Sequence, residues 1–361
     1  MKGMKRLRID NLDWVNTSFL ILTPIATVAL IATYVAKDGF DPMMLIPAVF
    51  MYFLSGMSIT AGYHRLLSHK AYKANKFVKF VLLLFGAGAF QNSALKWCTD
   101  HRRHHTFCDT DEDPYNIKEG FFWAHMGWIM VKEEDKYLDV YAKDLAADPL
   151  VMWQHKYYLP LCVFSGFIIP ALIGWAMGSW LGGLAIVGVG RVVFVHHCTF
   201  FINSWAHMWG SQPYTDTNTA LDNPLLAFFS YGEGYHNFHH FFQNDYRNGV
   251  KWWQYDPTKW LINIMSYFGW AHSLKRTSEE EILKAQLLMQ EKRLAEHGAD
   301  LSALEQLKLK VEETFRNLQE LRREFRKTHS EDLEIRIKEE LRDFKAAMRA
   351  WSYSATQLSF A

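Results

Sequence analysis

Residues 44–69 read MLIPAVFMYFLSGMSITAGYHRLLSH. The part from Met44 to Gly62 is almost wholly apolar and close to the roughly 20 residues that an α-helix needs to cross a bilayer. It runs directly into two histidines, His64 and His69. A span that ends in metal-ligand chemistry decides how the rest of the chain is read. The questions become which other stretches can cross, and which histidines they deliver to the same side.

Four more apolar stretches stand out, at 19–36, 77–95, 157–177 and 179–198. The first is long enough to span, and the last two form a pair joined by a tight turn at Gly178. Segment 77–95 carries Gly86, Gly88, Gln91, Asn92 and Ser93, a poor surface to show to lipid, so it should lie at the interface or fold within the protein. The expected fold is therefore an all-α integral membrane protein. It has four transmembrane helices, interfacial helices and a cytoplasmic helical domain that holds the histidines. The opening residues, MKGMKRLRIDNLDW, carry an excess of Lys and Arg, which places the start on the cytoplasmic side. They continue through acidic and polar residues, so no cleavable signal peptide is expected. The turns after the first and fourth stretches hold only Lys37 as a basic residue, as expected of loops on the far side.

Composition agrees. Half of the 361 residues are hydrophobic, yet the mean hydropathy is −0.12, so apolar segments must alternate with strongly polar ones. A net charge of +1 excludes bulk electrostatics as the route to a partner, and with it nucleic acid. Cys98, Cys108, Cys162 and Cys198 show no disulfide-framework spacing, which fits a reducing compartment.

The chemistry lies in the histidines. Besides His64 and His69, the chain carries His101, His104 and His105 in HRRHH, and His236, His239 and His240 in HNFHH. Spacing i, i+3, i+4 puts three imidazoles on one helical face. His64 and His69 are five apart, roughly 140° around an α-helix, so they should reach different metals on either side of it. Eight clustered imidazoles exceed what one ion takes, and a two-metal site follows. Imidazole suits zinc, copper, iron and nickel alike. The clusters lack the cysteines of structural zinc sites, and zinc has no redox chemistry. Their surroundings are apolar and aromatic, which favours dioxygen activation on paired irons over hydrolysis. Four crossings bring all three clusters to one side. His125, His155, His196, His197, His272, His297 and His329 read as ordinary satisfied histidines.

HRLLSH, WCTDHRRHH and the run from NSWAHMWGSQPY through GEGYHNFHHFFQNDYRNG to DPTKW resemble the membrane fatty-acid desaturases, and among them the acyl-CoA (Δ9-type) branch, over residues 16–270. The resemblance implies two irons held by nine histidines: the eight above and His207, in NSWAH. It implies that Asn203 holds a water on one iron. Gln91, Trp97 and Thr199 would line a kinked substrate tunnel, with Asp100 near its thioester end. The activity implied is insertion of a cis double bond into a long acyl chain, presented as acyl-CoA or acyl-lipid, with dioxygen as co-substrate and the di-iron centre as catalyst. Animal acyl-CoA members carry arginine just before the aspartate. Thr99 stands there, which shifts the expected headgroup toward a phospholipid or acyl-carrier-protein ester. No haem domain, iron–sulfur spacing or GxGxxG loop follows the core, so a separate electron donor is expected, such as a ferredoxin or a b-type cytochrome with its reductase.

Three other readings stay open: a hydroxylase or monooxygenase built on the same cage, a membrane metal-binding protein, and a helical scaffold. The core is expected to occupy 1–272. Residues 273–361 form a cytoplasmic helical extension, with Leu304, Leu307, Val311, Leu318, Leu321 and Phe325 on heptad-like positions. It reads as two helices broken near His297 and Gly298, packed as a cap.

Overall fold

The computed structural model describes residues 7–132, 137–298 and 301–360. Lys2, Lys5 and Arg6, on which the reading of the N-terminal side rests, lie outside them. Among the described residues, four helices are long and apolar enough to cross a membrane: α1 (Trp14–Asp38), α2 (Pro42–Ser68), α5 (Tyr158–Ala176) and α6 (Trp180–His207). Between and after them run α3 (Lys76–Ala87), α4 (Ala94–Phe107), α7 (His236–Phe241) and α8 (Pro257–Tyr267). The spans turn Val15, Ile25, Val28, Ile46, Phe50, Leu172 and Trp175 outward, all exposed. Apolar surface of that extent belongs in lipid rather than water. The protein is an integral membrane protein.

Local chemistry sets where the helices start and stop. Asp13 caps α1 by accepting from the amides of Val15 and Asn16, and Gly39, at φ 78°, ends it. Gly174 and Gly183 let α5 and α6 touch at the backbone: a Cβ on Gly174 would stand 2.4 Å from the Gly183 Cα. Such close approach is how small residues join helices where lipid removes the hydrophobic drive. Helix α3 has 12 residues, which at 1.5 Å each spans about 18 Å against a hydrocarbon core of about 30 Å. It stops at a turn in which Phe90 and Asn92 take left-handed backbone (φ 55° and 70°). Segment 77–95 thus folds back within the protein, as its glycines and polar residues predict.

Helices α3 and α4 pack on the second half of α2 around a buried core that includes Tyr63, Leu67, Leu82, Leu83, Leu95 and Cys98. A two-residue strand β1 (Lys73–Ala74) pairs antiparallel with β2 (Ala271–His272).

The chain divides into two compact units. One holds 1–211 and 218–276, and the other holds 212–217 and 277–361. Among its described residues the second unit contains three helices, α9 (Glu279–Glu296), α10 (Ser302–Thr328) and α11 (Glu331–Phe360), where the sequence suggested two. The break at His297 and Gly298 is there. A second falls at His329, whose left-handed backbone lets its amide cap Phe325 O at 2.8 Å. Neither Gly nor Pro announces that turn. The heptad positions Leu304 and Val311 share a buried cluster with Trp351 and Ala347 of α11, and Leu318 is buried as well.

Candidate metal centre

The second half of α2 is not an α-helix. Residues Ser58–Ser68 form a π-helix, and the His69 amide bonds His64 O at 3.1 Å. Hydrogen bonding from i to i+5 brings residues five apart onto one face. The rings of His64 and His69 consequently stand 4.8 Å apart, centroid to centroid. The expectation that these two serve different metals, drawn from α-helical geometry, is wrong. They share one group.

Two groups of imidazoles form. His64, His69, His101, His105 and His239 place five ring nitrogens within 4.8 Å of one another, and His104, His207, His236 and His240 place four. Each triad is split between them. From α4, His101 and His105 go to the first group and His104 to the second; from α7, His236 and His240 go to the second and His239 to the first. The Nε2 atoms converge: His69 on His101 at 2.8 Å, His64 and His105 each on His239 at 3.0 Å, and His236 on His207 and on His240 at 3.1 Å. The groups abut where His105 and His240 stack at 4.3 Å.

Outward contacts decide which nitrogen carries the proton. His64 Nδ1 lies 2.9 Å from Glu233 Oε2, and His104 Nδ1 lies 2.9 Å from Asp113 Oδ1. His207 Nδ1 lies 2.8 Å from Thr219 Oγ1, whose own hydroxyl donates to Asp109 Oδ1 at 2.6 Å. Carboxylates only accept when ionised, so at His104 and His207 Nδ1 donates and the Nε2 lone pair faces inward, while His64 Nδ1 faces Glu233 without a directed hydrogen bond. This is the outer support that metal-bound histidines require. Burial works against an ionised Glu233. Its contacts with His64 and Arg65 outweigh it and hold the carboxyl below its usual range. Asp113 is held low likewise, burial being outweighed by His104. Arg65 ties the site to its surroundings, donating to Glu233 at 2.9 Å, Asp256 at 3.1 Å and Tyr246 O at 2.8 Å.

Burial, then the neighbouring histidines, hold His69, His101, His105, His236, His239 and His240 well below the ordinary imidazole range. Neutral imidazole is the form that binds a metal. Cys108 stands near His104 and Asp113, but burial, with Asp109 and Asp113 adding, pushes its thiol up. A protonated thiol is a poor ligand. The donor set therefore fits a pair of metals that accept imidazole.

A mainly apolar cavity of about 240 Å³ opens beside these groups. His64, His101, His104 and His236 reach its wall, and so do Gln91, Trp97, Asp100, Thr199 and Asn203. Gln91 is fixed from two sides: it donates to Thr199 Oγ1 at 2.9 Å and accepts from Trp97 Nε1 at 3.3 Å. Trp97 also stacks on His101 at 4.9 Å. Thr99 is buried, spends its hydroxyl on Leu95 O, and does not line the cavity. Four of the remaining histidines have plain partners: His125 meets Ser204 and His197, His155 meets Ser93, and His297 meets Arg293 O. Sequence reasoning missed Glu233, Asp113, Thr219 and Asp109. For Glu233 and Asp113 the signal was an acidic residue near the third and second boxes, in GEGYHNFHH and DTDEDPY.

The model of the fatty acid desaturase family matches residues 40–273, which contain every histidine of both groups. The chain belongs to that family. It is 44% identical to the probable acyl-CoA desaturase of Schizosaccharomyces pombe, over 84% of this chain and 64% of that one. It is 39% identical to acyl-CoA desaturase 1 of Saccharomyces cerevisiae, over 81% and 58%. Against stearoyl-CoA desaturase 5 of Bos taurus the identity is 36%, over 76% and 82%. The chain thus spans less than two thirds of the length of these two yeast relatives. A match over 84% of the chain exceeds what precedes Thr277, so similarity runs into the extension, beyond the 16–270 read from the motifs.

Proposed function

We propose that this desaturase-family chain introduces a cis double bond into a long acyl chain carried as its CoA ester, using dioxygen, two irons and two external electrons. The observation that carries the reading is the pair of inward-facing imidazole groups at the wall of an apolar cavity. His64, His69, His101, His105 and His239 would hold one iron, and His104, His207, His236 and His240 the other, with Asn203 placing a water at the second. When bound, the irons supply the oxidising chemistry toward dioxygen that an unactivated methylene requires and that no acid–base side chain offers. The balance is one dioxygen, two electrons and two protons taken up with two C–H hydrogens, giving the double bond and two waters.

The protein's own part is placement. Trp97, Gln91 and Thr199 make a hydrogen-bonded wall beside His101, which presents particular carbons of the chain to the centre. The apolar lining excludes water and suppresses side reactions. Asp100 faces the cavity toward the thioester. The relatives named above act, by their names, on acyl-CoA. Thr99, turned away from the cavity, gives no reason to prefer another ester. The centre would face the cytoplasm, with electrons arriving from a separate donor such as a ferredoxin or a b-type cytochrome with its reductase, and the helical extension 273–361 on the same side.

The test is turnover of the purified, iron-loaded protein on a saturated acyl-CoA with dioxygen and a reducing system, the products located by mass spectrometry. An alkene with two irons per chain is the expected result. A hydroxylated acyl chain in its place would assign the protein to the monooxygenases. Cysteine-accessibility labelling should put the neighbourhoods of His64, His105 and His240 on one side; outside labelling of 109–118 would defeat the shared site.

A further inference from the structure

Two side chains inside the membrane-spanning helix α6 have no place in the metal centre, yet both are aimed at one turn. Arg191 is 4% exposed and donates to Gly88 O at 2.7 Å, Ser55 Oγ at 3.2 Å and Val187 O at 3.3 Å. It makes no ion pair among the described residues, and its Nη2 finds no hydrogen-bond partner there. A guanidinium left uncompensated in a span is expensive and marks a function by default. Five residues on, His196 is also buried and approaches Ala89 O at 2.8 Å and Phe90 O at 3.2 Å. Carbonyls only accept, so this ring nitrogen is the donor.

Between them they hold three consecutive carbonyls, Gly88, Ala89 and Phe90, at the point where the backbone turns left-handed at Phe90 and again at Asn92. Non-glycine residues keep such backbone only where the surroundings impose it. The residue enclosed by the two is Gln91, whose amide faces the cavity and is fixed by Thr199, three residues beyond His196 on the same side of α6. Asn203 follows four residues later. One side of one helix thus holds the turn, the end of the Gln91 side chain, and a further residue of the cavity wall.

We propose that Arg191 and His196 are positioning residues that set the bend of the cavity through the Gly88–Asn92 turn, and so choose where along the acyl chain the double bond falls. The inference rests on the desaturase reading. The experiment compares the full-length, iron-loaded protein with His196→Leu, which removes the donor, His196→Gln, which restores an N–H, and Arg191→Lys, which keeps charge but offers fewer directed donors. Stearoyl-CoA serves as the probe. Expected is unchanged iron in all, one double-bond position from the parent, several from His196→Leu, return to mainly one in His196→Gln, and partial scatter in Arg191→Lys. Slower turnover with the parent position retained in both His196→Leu and Arg191→Lys would overturn the proposal, since a merely structural loss lowers rate without moving the bond. Where His196→Leu does not fold, the Arg191→Lys product decides alone: scatter supports the proposal and a single parent position overturns it. A parent that makes no alkene at all defeats the desaturase reading first, and this inference with it.

Discussion

Five imidazoles gather in one group and four in the other, and they are held in different ways. The five-membered group rests on α2, where a π-helix brings two imidazoles to one face and Arg65 locks Glu233 and Asp256 behind His64. The four-membered group takes His207 from the last turn of α6 and is backed by the loop after α4. There Asp113 accepts from the amides of Asp109 and Tyr115 as well as from His104. One group is anchored by a buried charge network on a span, the other by a loop and a threonine. A metal that does chemistry needs a position the protein does not fill. Both groups reach the cavity, through His64 and His101 in one and His104 and His236 in the other, and the smaller brings one imidazole fewer.

Removing a ligand from each should break the symmetry most visibly. His104→Ala leaves three imidazoles and should lower iron from about two per chain toward about one. His69→Ala leaves four and should retain more metal. Both should lose more than the roughly 10–100-fold that outer-shell changes cost. Iron quantification and turnover on the same sample check this, and greater iron loss in His69→Ala would reverse the comparison.

Next in size is Trp97→Ala, which removes the ring stacked on His101. Misplacing the reacting carbon by about 1 Å costs on the order of a hundredfold in rate. Iron should stay normal while double-bond positions scatter or hydroxylated by-product appears. An unchanged single product at full rate would leave Trp97 outside the tunnel.

Glu233→Gln and Asp113→Asn probe the outer supports, each with a loss of roughly 10–100-fold in activity or metal affinity. They should part company in stability. Glu233→Gln strips Arg65 of one buried partner, and such losses reach about 3–5 kcal/mol where no second partner remains. Asp256 remains here, so a smaller fall is expected, read by thermal unfolding in detergent. Equal melting temperatures for the two variants would deny the charge network its role. The smallest effect should come from truncation at Thr277. Both groups lie in the other compact unit, and iron per chain should hardly move.

Spans and boxes could be read from the sequence because each is a local pattern. Length and apolarity announce a crossing, and His spacing announces a shared face. Nothing local in SITAGYHRLLS distinguishes i→i+5 from i→i+4 hydrogen bonding, so the partition of His64 and His69 went wrong. The splitting of each triad depends on where α4 meets α7, a long-range event. Glu233 and Asp113 acquire their meaning only when distant segments fold onto them. In the sequence His196 reads as an ordinary satisfied histidine, and only its carbonyl partners give it more to do.

The contact between His64 and His239 joins positions 175 residues apart. At the usual pace of synthesis, about 5–20 residues per second, the first half of that pair waits on the order of ten seconds or more for the second. All four membrane segments precede His239 in the chain, so they emerge while their histidines still lack most partners. Any metal that fills the two groups would therefore enter a chain whose four spans are already made.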